Sequence, residues 1–193
     1  MIKKILFLII LGAITTMVNG QDETNADEKA TVYFVRASSL GAVINFALFD
    51  GEQVIGRING MKYMRYECEP GKHLFWARSE NKSFVEAELE PGKTYLIDVI
   101  PQMGGIKAGV ALMPVDKSNY KLKRIQKLVS KKEPVSFDAN ELAKLQSKFT
   151  DVIERGMSRY EKRKAKDGTI RILSSDMTID HQDLVFVKKS KKS

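Results

Sequence analysis

From Tyr63 to Ile100 one pattern of polar and apolar positions occurs twice: a short alternating run, then Glu-Pro-Gly-Lys, then a more apolar run. The tetrapeptides are Glu69-Pro70-Gly71-Lys72 and Glu90-Pro91-Gly92-Lys93. Proline presets φ for the second residue of a turn, and glycine accepts the positive φ that a type II turn needs next. Both tetrapeptides therefore predict reversals between strands. Between them Val85, Ala87 and Leu89 alternate with Glu86, Glu88 and Glu90. That period of two marks a strand with one dry face and one wet face.

The same reasoning predicts strands over Thr31–Ala37, Ala42–Phe49, Glu52–Ile58, Tyr63–Cys68, Lys72–Ser79, Ser83–Leu89, Thr94–Ile100 and Ile106–Val115. Asp50-Gly51 is a two-residue hairpin signal, and Asn59-Gly60 and Gly104-Gly105 are further turns. Turn markers at Gly51, Gly60, Gly71, Asn81, Gly92 and Gly104 are separated by 9, 11, 10, 11 and 12 residues. Short strands at that spacing, with no helical window between them, predict an antiparallel β-sandwich of seven to eight strands. Trp76 is expected in its core with Val32, Phe34, Phe46, Leu48, Tyr66, Leu74, Ile97 and Val99. A large aromatic in mid-strand supplies buried area more often than a ligand platform.

After Asp116 the apolar period becomes helical. Leu122, Ile125, Leu128 and Val129 define a helix within Tyr120–Lys131, which Pro134 ends. Asp138-Ala139-Asn140-Glu141 has the form of a capping box. A long helix should follow it to near Asp167-Gly168, with Leu142, Leu145, Phe149, Val152, Ile153 and Tyr160 on one stripe. Such a stripe must be covered, and packing on the sandwich or the first helix is the favoured cover. Thr169–Leu173 and Leu184–Val187 are short apolar runs of unassigned type, and KKSKKS is a basic tail. The expected class is mainly β with α: a sandwich followed by a helical, basic C-terminal extension.

The start of the chain reads differently. Lys3-Lys4 precede 14 residues of apolar character, Ile5–Val18, and Val18 and Gly20 suit the positions before a cleavage site. A signal peptide over residues 1–20, cleaved before Gln21, is expected; the alternative is an uncleaved membrane anchor, for which 14 apolar residues fall short of a bilayer span. Residues 21–29 form a polar, acidic lead-in, residues 30–116 the sandwich, 117–168 the helical region and 169–193 the short runs and tail. Cys68 is the only cysteine, so an internal disulfide is impossible, and its expected role is a small buried hydrophobe.

Charge sharpens the division at Asp116. Gln21–Asp116 holds 10 Lys and Arg against 14 Asp and Glu, whereas Lys117–Ser193 holds 20 against 10. Lys144, Lys148, Arg155, Arg159 and Lys162 fall near one side of the expected long helix, and the run continues through Lys166. They form a candidate face for anionic lipid headgroups or another polyanion; the competing account is an ordinary solvated helix face. The usual catalytic constellations are missing: no nucleophile elbow, no paired-histidine zinc helix, no phosphate loop. Cys68, His73 and His181 are too few for a metal site, and His181 among Asp180 and Asp183 lies near the chain end. The Glu86, Glu88 and Glu90 row is expected as a wet strand face, and His73 as a half-exposed strand residue. No catalytic, cofactor-binding or metal-ligating residue is assigned, and no cofactor is expected.

TVYFVRASSLG from Thr31, the Asp50-Gly51 hairpin with Ile55-Gly56, EPGKH before an aromatic strand, and EPGKTYLIDV together resemble the domain of unknown function 2846 family. That is a bacterial family of exported proteins and lipoproteins, similar to small PEGA-like β-sandwich modules. The resemblance covers Thr31–Val115 and implies export and a sandwich, with no catalytic residues to transfer. The lipoprotein cysteine common among relatives is absent, as is any counterpart of the chain after Asp116. The expected function is a non-enzymatic binding or structural module of the bacterial cell envelope, partnered by an envelope protein or polymer. One alternative is a membrane-surface protein acting through its basic amphipathic helix; another is a hydrolase with an unrecognised site. Nucleic acid is disfavoured as a partner because the leader removes the chain from the cytoplasm.

Overall fold

The structure is a computed structural model that describes residues 28–103, 108–119 and 122–184. The expected leader, most of the acidic lead-in, the Gly104-Gly105 turn, Tyr120, the run beyond Leu184 and the basic tail lie outside those residues.

Eight strands follow the alternating sequence: β1 (Ala30–Arg36), β2 (Phe46–Asp50), β3 (Gln53–Ile58), β4 (Lys62–Cys68), β5 (Gly71–Arg78), β6 (Lys82–Leu89), β7 (Thr94–Met103) and β8 (Ala108–Val115). They form two sheets, with a ninth short strand, β9 (Arg171–Leu173), added after the helices. One sheet has the order β4-β1-β7-β8 and the other β3-β2-β5-β6-β9. The inner faces bury Val32, Phe34, Phe46, Leu48, Phe75, Ile97, Val99 and Leu112 between them. Tyr66 and Leu74, expected in the core, are only half-buried.

Each Glu-Pro-Gly-Lys segment carries the chain from one sheet to the other: the first joins β4 to β5, the second β6 to β7. Their glycines take φ of 114° at Gly71 and 67° at Gly92, conformations that L side chains resist. The expectation of a purely antiparallel sandwich is corrected at two places. β1 pairs with β7 in parallel, and β6 with β9 in parallel. Successive short turns reverse direction each time, so the first and seventh strands run the same way, and the fold makes them neighbours. β9 arrives after helices, so no hairpin forces it to oppose β6.

The second strand begins at Phe46 and not at Ala42, because residues 37–45 are held as a loop. The buried guanidinium of Arg36 donates to the carbonyls of Leu40 (2.8 Å), Gly41 (2.6 Å) and Ile44 (2.6 Å). Those carbonyls are thereby satisfied outside any ladder.

The helical residues do not form an appended arm; they supply the two outer layers. α1 (Leu122–Val129) packs Ile125, Leu128 and Val129 on Tyr33, Val35, Leu96 and Val115, the outer face of the first sheet. The connection then passes along the β4 and β3 side: Val135 N–H donates to Tyr63 O at 2.8 Å, and Phe137 packs against Gly56. α2 (Ala139–Lys148) begins with the expected capping box, Glu141 N–H donating to Asp138 Oδ1 (2.8 Å) and Asp138 N–H to Glu141 Oε2 (3.0 Å). The long helix is in fact two. Phe149, with φ −105° and ψ 10°, separates α2 from α3 (Thr150–Lys164) while its ring meets Phe49 edge-on at 5.8 Å. The bend keeps the apolar stripe on the twisted second sheet: Leu145, Phe149, Val152, Ile153 and Tyr160 cover Ala47, Phe49, Val54, Trp76 and Phe84. The chain then returns past β9 to the first sheet, where Ile179 N–H donates to Thr94 O at 2.8 Å and the single turn α4 (His181–Leu184) lies beside α1. Among the described residues no helix is long and apolar enough to cross a membrane.

Candidate anion-binding face

Arg78 ends β5 and Lys82 begins β6, and the two are directly opposite in the ladder, on the outer face of the second sheet. Like charges at such positions repel, so the pair is disfavoured by itself. α3 adds two more cations. The helix packs on this sheet through Val152, Ile153, Gly156 and Tyr160, with Gly156 directly on the indole of Trp76, and its Arg155 and Arg159 act on Lys82. The consequence is felt at Lys82, whose ammonium is pushed below the usual lysine range by burial first and then by Arg78, Arg155 and Arg159. Among the described residues none of the four forms an ion pair.

The cations continue along α3. Arg159, Lys162, Arg163, Lys166 and Gly168 line a recess of about 360 Å³ with no acidic side chain in its wall. The Arg163 guanidinium is held 5.9 Å above the Phe84 ring. A helix C-terminus accounts for Lys162, Arg163 and Lys166, since its carbonyls favour positive charge. It does not account for Arg78, Lys82, Arg155 or Arg159, which lie away from that terminus. Of the five residues proposed from sequence, Arg155, Arg159 and Lys162 thus belong to one cationic face. Lys144 and Lys148 stand on α2, on the other side of the Phe149 break from α3. Arg78 and Lys82 escaped notice from sequence because their signal is positional: two bases flanking the tip of a hairpin.

Two polar clusters lie towards the other end of the strands. In the first, Tyr160 Oη donates to Glu86 Oε1 at 2.6 Å, while Lys164 Nζ donates to the same oxygen at 2.9 Å and to Tyr160 Oη at 3.1 Å. These groups line a recess of about 490 Å³ with Lys72, Leu74, Glu88 and Ile172. Glu86 is therefore not simply part of a wet face. The Tyr160 and Lys164 bonds hold its carboxyl below the usual range. Burial, followed by the Glu86 bond, raises the Tyr160 phenol; the Glu86 bond raises the Lys164 ammonium.

In the second cluster His73 Nδ1 lies 2.7 Å from Asp50 Oδ2 and Nε2 lies 2.8 Å from Glu69 O. Both ring nitrogens face acceptors, which selects the doubly protonated imidazolium. The Asp50 bond above all, then Cys68, push His73 up to about 10. Tyr66 Oη donates to the same Asp50 oxygen at 3.1 Å, and burial first, then Asp50, raises its phenol. Cys68 is buried, as expected. His181, the other histidine, has Nδ1 3.2 Å from Tyr33 Oη, and its neighbour Asp180 pairs with Lys117 at 2.7 Å. A scan of family models and a search of curated proteins each find no match to this chain.

Proposed function

We propose that this chain is a non-enzymatic binding module of the bacterial cell envelope, exported by its N-terminal leader, that holds a polyanion on Arg78, Lys82, Arg155 and Arg159. The observation that carries this reading is the four-cation corner, without an ion-paired acid among the described residues, built on a like-charged cross-strand pair. An isolated array of that kind repels itself, and a bound anion removes the repulsion. Export and the envelope rest on the charged and apolar start of the sequence and on the likeness to the domain of unknown function 2846 family.

The polar clusters support a non-enzymatic role. A lysine nucleophile needs a depressed pKa, and a general base needs one near the working pH. Lys164 and Tyr160 are shifted up, and His73 is shifted to about 10, so each stays protonated and tied to a carboxylate. The alternative in which an amphipathic helix lies in a membrane loses its apolar half, because Leu145, Phe149, Val152 and Ile153 are taken up by the second sheet.

Titration with soluble polyphosphate tests the proposal. Binding should weaken as salt rises. Arg155→Glu with Arg159→Glu should abolish most of it, whereas Lys144→Glu with Lys148→Glu should leave it near the parent. Equal binding and equal salt dependence in parent and the α3 double variant would overturn the assignment.

A further inference from the structure

Among the described residues the large apolar side chains most exposed are Val43 (88 %), Ile172 (64 %), Leu40 (48 %) and Met61 (37 %). Three of these stand together. Leu40 and Val43 belong to the loop between β1 and β2, and Met61 to the turn between β3 and β4. The two loops are joined by Gly60 N–H donating to Ala42 O at 2.9 Å. The ladders put both at the same end of the sandwich, where Arg36 faces Lys62, Phe46 faces Ile58 and Arg78 faces Lys82.

The loop is fixed in this exposed position. Arg36 is fully buried, with its guanidinium 4.4 Å above the Phe46 ring and spent on three loop carbonyls. A buried cation bound only to carbonyls is costly. Here it orders a loop whose outermost side chain, Val43, touches little of the protein. Lys132 Nζ donates to Met61 O at 2.6 Å, tying the second loop to the end of α1.

Cations surround these apolar tips. On the α1 side Arg124, Lys127, Lys131 and Lys132 line a recess of about 270 Å³ with Met61 and Leu128. At the same end of the second sheet, on its outer face, are Arg78 and Lys82, with Arg155 and Arg159 of α3 close to Lys82. None of these forms an ion pair among the described residues, although acids stand close in sequence: Glu80 between Arg78 and Lys82, Glu133 after Lys132, and Asp151, Glu154 and Glu161 on α3. Separate apolar tips, held rigidly and ringed by unpaired cations, suit a surface that is negative outside and apolar just beneath. A protein partner would instead be met by a packed apolar patch with a polar rim.

We propose that this end of the sandwich docks on an anionic lipid bilayer, with Leu40, Val43 and Met61 entering the headgroup boundary and the flanking cations meeting lipid phosphates. The inference rests on the polyanion reading for Arg78, Lys82, Arg155 and Arg159, and names the bilayer as the polyanion. The loop tips are independent of that reading.

The test uses mature protein isolated from expressing cells and vesicles of phosphatidylglycerol with phosphatidylcholine, or of phosphatidylcholine alone. In Val43→Trp, emission should shift to the blue on anionic vesicles only; the buried Trp76 gives a constant background. The triple variant Leu40→Ser, Val43→Ser, Met61→Ser should bind anionic vesicles at least about tenfold more weakly, since each tip gives up apolar burial. The same variant should bind soluble polyphosphate as the parent does. Absence of vesicle binding by the parent, unshifted Val43→Trp emission, or full vesicle binding by the triple variant would each overturn the docking proposal. The polyphosphate titration is unaffected by those outcomes, so failure of docking and failure of the polyanion reading are distinguishable.

Discussion

Gly156 lies against Trp76 so closely that a Cβ at Gly156 would stand 2.5 Å from the indole Cη2. The ring has nowhere to go. It is stacked on Phe49 at 3.8 Å, and its Nε1–H donates to Gly51 O at 2.8 Å. This contact sets the distance of α3 from the second sheet and hence the position of Arg155 and Arg159 over Lys82. Glycine in mid-helix ordinarily costs about 1 kcal/mol relative to alanine. Gly156→Ala should nonetheless destabilise the protein, by about 1–3 kcal/mol, because overpacking outweighs helix propensity. Thermal melting decides: a variant that melts above the parent would mean the helix is free to shift outward.

Gln146 completes the exposed edge of β3. Its Oε1 accepts from Val54 N–H at 2.8 Å and its Nε2 donates to Glu52 O at 2.9 Å, as a neighbouring strand would. Edge strands left open invite pairing between chains. Gln146→Leu keeps much of the volume but loses both the acceptor for Val54 N–H and the donor to Glu52 O. A loss of about 1–3 kcal/mol is expected, with faster hydrogen exchange at Val54. Unchanged exchange there would show that the edge is protected by something other than this side chain.

His73 should make stability fall in alkali. Its pKa rises from 6.5 to about 10 on folding, chiefly through Asp50. A raised folded pKa means that the stabilisation is complete below 6.5 and disappears as pH climbs through about 10. His73→Gln should remove that part of the pH dependence, read as the difference between parent and variant melting curves across the window. Parallel curves for the two would mean that the imidazole titrates alike in the folded and the unfolded chain, and the Asp50 contact would then carry no linkage.

What lay within reach of the sequence was what adjacent residues decide. The strand segments, the turn glycines Gly51, Gly71 and Gly92 and the Asp138–Glu141 capping box each depend on neighbours a few positions apart. The stripe was visible for the same reason, since its period is local: Leu145, Phe149, Val152, Ile153 and Tyr160 are buried as expected, and Leu142, at its start, is only half-buried. The tertiary structure decided which strands meet. Alternation along a strand does not specify its partner, so the parallel β1–β7 pair and the crossing of both Glu-Pro-Gly-Lys turns between sheets are products of assembly. The cationic corner has the same origin. Arg78 and Lys82 come from the sheet and Arg155 and Arg159 from α3, more than seventy residues on, and the packing of α3 on the second sheet brings them together. Burial of Arg36 and the Glu86–Tyr160–Lys164 cluster were likewise beyond a sequence pattern, because the energy of a buried or paired charge depends on its surroundings in space and not along the chain.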